Sequence, residues 1–99
     1  MIDIAPELLE ELKKAFSEKF NNNKKIDKIL STVREGEPTY SEVNDLSIVV
    51  GDILAEVFQE NLSSDILPDG RMYYNIAKRT VEPMMINNYD IVIDNATIV

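Results

Sequence analysis

Cysteine, histidine and tryptophan are absent from these 99 residues. Without cysteine there is no disulfide framework and no thiolate chemistry. Without histidine the chain lacks the commonest general base and metal ligand. Positive charge is scarce as well: 10 bases stand against 18 acids, for a net charge of −8. The deficit is uneven, since the span from residue 38 to residue 70 holds seven acids and no base. A nucleic-acid surface needs lysines and arginines to displace counterions from phosphates, so this balance predicts no nucleic-acid binding. No apolar run approaches the roughly 18–20 residues of a membrane span. Met1 to Pro6 shows neither the basic region nor the apolar run of a signal peptide. The expected setting is a cytoplasm, and the expected membrane partner is none.

What is present is enough apolar residue, 44%, to build one ordinary core. A chain of this length buries roughly 60–68% of its unfolded surface, which supports a single domain and no deep substrate cleft. Four breaks divide it: Asn21-Asn22-Asn23, Gly36-Glu37-Pro38, the stretch from Ser63 to Gly70, and Glu82-Pro83.

Between the breaks the apolar spacing is helical. Leu8, Leu9, Leu12, Phe16 and Phe20 recur at steps of three and four, after a proline suited to a first helical turn. Glutamates come early and lysines late, as the helix dipole favours. The asparagines are expected to end this helix in a left-handed conformation. A second helix is expected from Lys24 to Glu35, with Ile26, Ile29, Leu30 and Val33 on one face and Gly36 as its cap. The short connection predicts that these two helices pair antiparallel.

The third segment is the best specified. Thr39 with Glu42 three residues on is a capping-box pattern. Val43, Leu46, Val50, Ile53 and Val57 then follow as a heptad seam. Ile48, Val49, Leu54, Phe58 and Leu62 widen the seam beyond what two short helices cover. The β-branched run from Leu46 to Val50 also suits a strand, but length, cap and spacing favour helix. Gly51 stands in the interior, where glycine costs roughly 1 kcal/mol against alanine. It is either a mild flaw or a site where another helix comes close.

A turn at Leu67-Pro68-Asp69-Gly70 precedes a fourth helix from Arg71 to Val81, using Met72, Tyr73, Ile76, Ala77, Thr80 and Val81. Pro83 closes or kinks it, and Met84-Met85-Ile86 is open to starting a fifth. Tyr89 to Val99 suits a strand by propensity and a helix by spacing, with helix preferred. The expected fold is therefore all-α, a small bundle of four to five helices whose C-terminal segment has an extended alternative. The chain stops inside an apolar pattern at Ile98-Val99, which predicts an N-terminal piece of a longer protein.

Chemistry-bearing motifs do not survive inspection. Asp65 and Asp69 lack the glutamate of a calcium loop, because Ile76 stands there. Asp52, Glu56 and Glu60 share a helix face, but di-metal bundle sites pair glutamate with histidine, so a solvated face is expected. Tyr73 and Tyr74 lack surrounding bases and read as core and rim. No phosphate loop, nucleophile elbow or dinucleotide fingerprint occurs. No enzyme activity, cofactor, metal or small-molecule substrate is expected.

The stretch from Ala55 to Ala77, AEVFQENLSSDILPDGRMYYNIA, resembles a family of proteins encoded among the head and capsid genes of phages and prophages of Gram-positive bacteria. The likeness extends loosely from the first helix to Asn88-Tyr89-Asp90. It implies a structural or assembly protein, in the host cytoplasm or the virion, whose partners are itself and other virion proteins. Members of that family run beyond Val99, and no binding residue carries over. A second function class remains open, a small acidic regulatory protein that binds and inhibits a host or phage protein. The candidate interface is Ile48, Val49, Gly51, Asp52, Glu56 and Phe58, through which self-association is expected to tighten as salt screens the acids.

Overall fold

The computed structural model describes residues 5–34, 37–62 and 70–86, and 88% of the described residues are helical. The fold is all-α. Among the described residues four helices follow in order: α1 (Pro6–Asn21), α2 (Lys24–Thr32), α3 (Tyr40–Asn61) and α4 (Gly70–Ile86). The segment after residue 86, for which helix and strand were both open, lies outside the described residues.

Local chemistry sets most helix ends. Pro6 opens α1 in its first turn. The asparagines do not end it in a left-handed conformation. Asn22 has φ −107°, and its side-chain amide donates to the Glu18 carbonyl at 2.8 Å. Asn23 instead caps the next helix: its Oδ1 accepts from the Lys25 and Ile26 amides at 2.9 and 3.2 Å. α2 stops at Thr32, three residues short of the expected Glu35. Ser31 and Thr32 turn their hydroxyls onto the carbonyls of Lys28 and Ile29, a local competitor to helical pairing. Val33 then takes an extended conformation, so the cap expected at Gly36 is not where this helix ends.

The capping box on α3 is formed as expected. The Thr39 hydroxyl accepts from the Glu42 amide at 3.2 Å, and the Glu42 carboxylate accepts from the Thr39 amide at 2.8 Å. The Thr32 hydroxyl lies 2.8 Å from the Glu42 carboxylate as well as from the Ile29 carbonyl, and its one hydrogen, shared between them, links the end of α2 to the start of α3. At the other end of the chain α4 runs through Pro83 to Ile86, so Met84 and Met85 extend the fourth helix and do not begin a fifth. Proline removes one backbone donor there. Burial of Val81, Met84 and Met85 on either side of it supplies packing that favours continuity.

α3 is the hub. α1, α2 and α4 each pack on it, and α1 and α2, expected to pair, each meet α3 more extensively than they meet each other. The two sides of α3 divide the work. Gly51 lies against the backbone of Tyr73 and Tyr74, so the α4 side of α3 includes Ser47, Leu54 and Phe58, which share its face at steps of three, four and seven. The seam of Leu46, Val50, Ile53 and Val57 lies about a quarter turn round the helix from that face, and all four are buried. Leu9, Leu12, Phe16 and Phe20 of α1 and Ile26 of α2 join them in one core. Phe16 and Phe20 stack at 5.7 Å. Each such fully buried side chain stabilises by roughly 1.5–3 kcal/mol relative to exposure.

Candidate functional site

Among the described residues α1, α2 and α4 pack on α3 and leave one side of it open. Ser41, Asp45, Ile48, Asp52 and Gln59 are all exposed along it. The steps 45, 48 and 52 put Asp45, Ile48 and Asp52 on one face. Ile48 is 49% exposed at the middle of the longest helix. The six expected interface residues thus separate into two groups. Ile48, Asp52 and Glu56 face solvent and Val49 is half-buried, whereas Gly51 and Phe58 are buried inside the chain.

Phe58 is 1% exposed and meets Tyr73 edge to face, with centroids 5.7 Å apart and planes at 83°. It belongs to the α3–α4 core and is unavailable to another chain. Gly51 does admit a close helix, but that helix is α4 of the same chain. The apolar excess of α3 went into this contact, because α4 covers a full side that short neighbours would have left bare.

A groove of about 300 Å³ runs beside the open strip, between α3 and α4. Its floor and walls include Gly51, Ala55 and Gly70, with Ile48, Gln59, Tyr73 and Tyr74 around them. Among the described residues Asp52 is its one charged lining residue. Next to the groove the two helices are clamped by polar contacts: the Tyr74 hydroxyl donates to Asn44 Oδ1 at 2.6 Å, and Lys78 Nζ sits 5.9 Å over the Tyr40 ring. A second groove of about 400 Å³ lies on the other side of Asp52, between the start of α2 and α3. Val49 and Ile53 supply its apolar part, and both signs of charge line it: Lys24 and Lys25 from α2, Asp52 and Glu56 from α3. Asp52 is therefore a ridge between an acidic groove and a mixed one.

The acids of α3 are not one uniform repelling face. Lys19 of α1 reaches across to Glu56 at 2.9 Å and Glu60 at 3.7 Å. Its ammonium is held above the usual lysine value, mainly by the hydrogen bond to Glu56 and against a smaller opposing effect of desolvation. Asp45 and Asp52 have no such partner among the described residues. Sequence spacing missed this split, because the pairing joins residues 37 positions apart. Tyr73 and Tyr74 fall in the core and at the rim as expected.

Among the described residues no group of three or more acidic, histidine or cysteine side chains is placed to hold a metal. No helix among them is long and apolar enough to cross a membrane. No family model, curated protein or solved structure matches this chain.

Proposed function

We propose that this protein is a non-catalytic structural or assembly component of a phage or prophage head, working through protein contacts on the open side of α3. The observation that carries the contact role is Ile48. A single half-exposed aliphatic residue is ordinary on a surface, but here it stands in mid-helix beside a groove floored by small residues, and the two together support a contact role. The head assignment comes from the resemblance across residues 55–77, which includes most of the second wall of that groove.

Self-association is the first contact to test, and the mixed-charge groove around Val49 suits it. A two-fold pair uses each residue twice, so the apolar surface at Val49 counts on both copies, and Lys24 and Lys25 dilute the acidic charge around it. With a net charge of −8 the copies still repel at long range, and salt screens that repulsion. Sedimentation velocity across concentration should show a mass that rises with concentration, more steeply at about 0.5 M salt than at about 0.05 M. Val49→Asp should weaken it. A strict monomer under both conditions would exclude the self-contact. Genes for head proteins should flank the gene for this chain, and an unrelated neighbourhood would favour the alternative of a small acidic inhibitor of a host or phage protein.

A further inference from the structure

We propose that the groove between α3 and α4 takes a basic helical segment of a different protein, seating one apolar side chain beside Ile48 and its lysines or arginines against Asp45 and Asp52. The inference rests on the contact role proposed above and names the partner's chemistry.

The argument starts from shape. Gly51, Ala55 and Gly70 leave room over the floor, Ile48 and Tyr74 form apolar walls, and the volume of about 300 Å³ suits a few side-chain atoms, not a whole helix. Such a site accepts a knob from a helix laid along the strip, as helix-in-groove recognition does with anchors at three- and four-residue steps. Charge then selects the occupant. α3 carries five acids and no base over its 22 residues. Glu42 is engaged in the capping box and Glu56 and Glu60 with Lys19. Asp45 and Asp52, one turn to either side of Ile48, are exposed and have no ion-pair partner among the described residues. A cation spaced one helical turn from the partner's anchor meets an unpaired carboxylate on each side.

The same feature disfavours a second copy here. A two-fold contact over Ile48 would set Asp45 and Asp52 against their own counterparts, and like charges face to face oppose association. The mixed groove around Val49 lacks that conflict. The two grooves therefore call for different occupants, and their salt responses have opposite sign. Self-contact tightens with salt, whereas attraction of a basic segment weakens with it.

A test uses the full chain and a synthetic peptide of about 18 residues, long enough to hold a helix in water. Leucines occupy one face at three- and four-residue steps and lysines flank them. A control peptide carries glutamate in place of every lysine. Fluorescence anisotropy gives the affinity, and amide resonance shifts give the location. The lysine peptide should bind with shifts centred on Ile48, Ala55 and Gln59, and weaken as salt rises. Asp52→Asn should weaken it several-fold. Ile48→Asp should weaken it by about tenfold, equivalent to about 1.4 kcal/mol, although it makes the face more acidic. Unchanged or tighter binding by Ile48→Asp would show diffuse attraction to an acidic surface and overturn the proposal. Equal binding of the glutamate peptide, or no binding of either, would do the same. A wild-type dimer that Ile48→Asp dissociates would give the groove to a second copy. Ile48 is exposed, so its replacement leaves the core intact, and sedimentation without peptide reports the self-contact separately.

Discussion

A Cβ placed on Gly51 would sit 3.4 Å from the Tyr74 Cα, so α3 and α4 meet backbone to backbone with room for one methyl group and no more. The neighbouring Tyr73 carbonyl and Tyr74 amide nitrogen would each lie at 3.5 Å, ordinary contact distances.

The first prediction follows from that spacing. Gly51→Ala fits without displacing α4 and recovers helix propensity in the middle of α3. It should raise stability by about 0.5–1 kcal/mol. Gly51→Leu cannot fit and should lower it by about 1–3 kcal/mol, as overpacked cores do. Urea unfolding of the two variants decides: a destabilised alanine variant would mean that the helices cannot yield at all.

The second prediction concerns acid. Glu42 is held below the usual carboxylate value, first by accepting from the Thr39 amide, then by the Thr32 and Thr39 hydroxyls. Its folded-state value is depressed, so its contribution is complete above the ordinary value of 4.5 and is lost as pH falls through the folded value. Glu42→Gln keeps an acceptor for the capping box and removes the titration. Wild type should be more stable than this variant at neutral pH, and the gap should close in acid. Thr39→Ala should cost about 1 kcal/mol at neutral pH, because it removes the cap's side-chain acceptor, and less in acid, because the Thr39 hydroxyl also helps hold the Glu42 carboxyl down. A gap between wild type and Glu42→Gln that persists in acid would assign the loss to shape, not charge.

These two cases mark what sequence could and could not show. The capping box was legible because its partners are three residues apart and need no tertiary structure. The seam of α3 was legible for the same reason: burial repeats with the helical period. Contacts between distant segments were not. Gly51 was legible only as one of two things, a mild flaw or a close approach, and its partner, α4, was not legible at all. Phe58 looked available for another chain because nothing local says that Tyr73 lies on it. Lys19 looked like a dipole-compensating surface lysine, whereas it spans Glu56 and Glu60 and leaves Asp52 as the free acid. The end of α2 and the passage of α4 through Pro83 were misjudged because hydroxyl back-bonding and core packing outweighed the residues that usually punctuate helices. Within the candidate site, Ile48, Val49, Asp52 and Glu56 were legible as surface, and the groove that joins Ile48 to Ala55 and Gly70 was not.

The third prediction concerns the tyrosine at the edge of Phe58. Tyr73 is 4% exposed, and its buried hydroxyl has no hydrogen-bond partner among the described residues. A buried hydroxyl that gives up water and gains nothing costs about 1–3 kcal/mol. The ring itself is well used, since it packs edge to face on Phe58 at 5.7 Å. Tyr73→Phe keeps that packing and removes the orphaned oxygen, so it should stabilise the fold by about 1 kcal/mol. Tyr73→Ala loses the ring and should cost about 3–5 kcal/mol. An alkaline signature accompanies the gain. Burial pushes the Tyr73 phenol above its ordinary value of 10.0, so the unfolded chain gives up this proton first and stability falls as pH rises beyond that value. Tyr73→Phe should lose that part of the alkaline fall. Thermal unfolding of wild type and variant, at neutral pH and again in alkali, tests both points. A destabilised Tyr73→Phe would show that the hydroxyl has a partner in solution, and that its isolation is not a cost the fold carries.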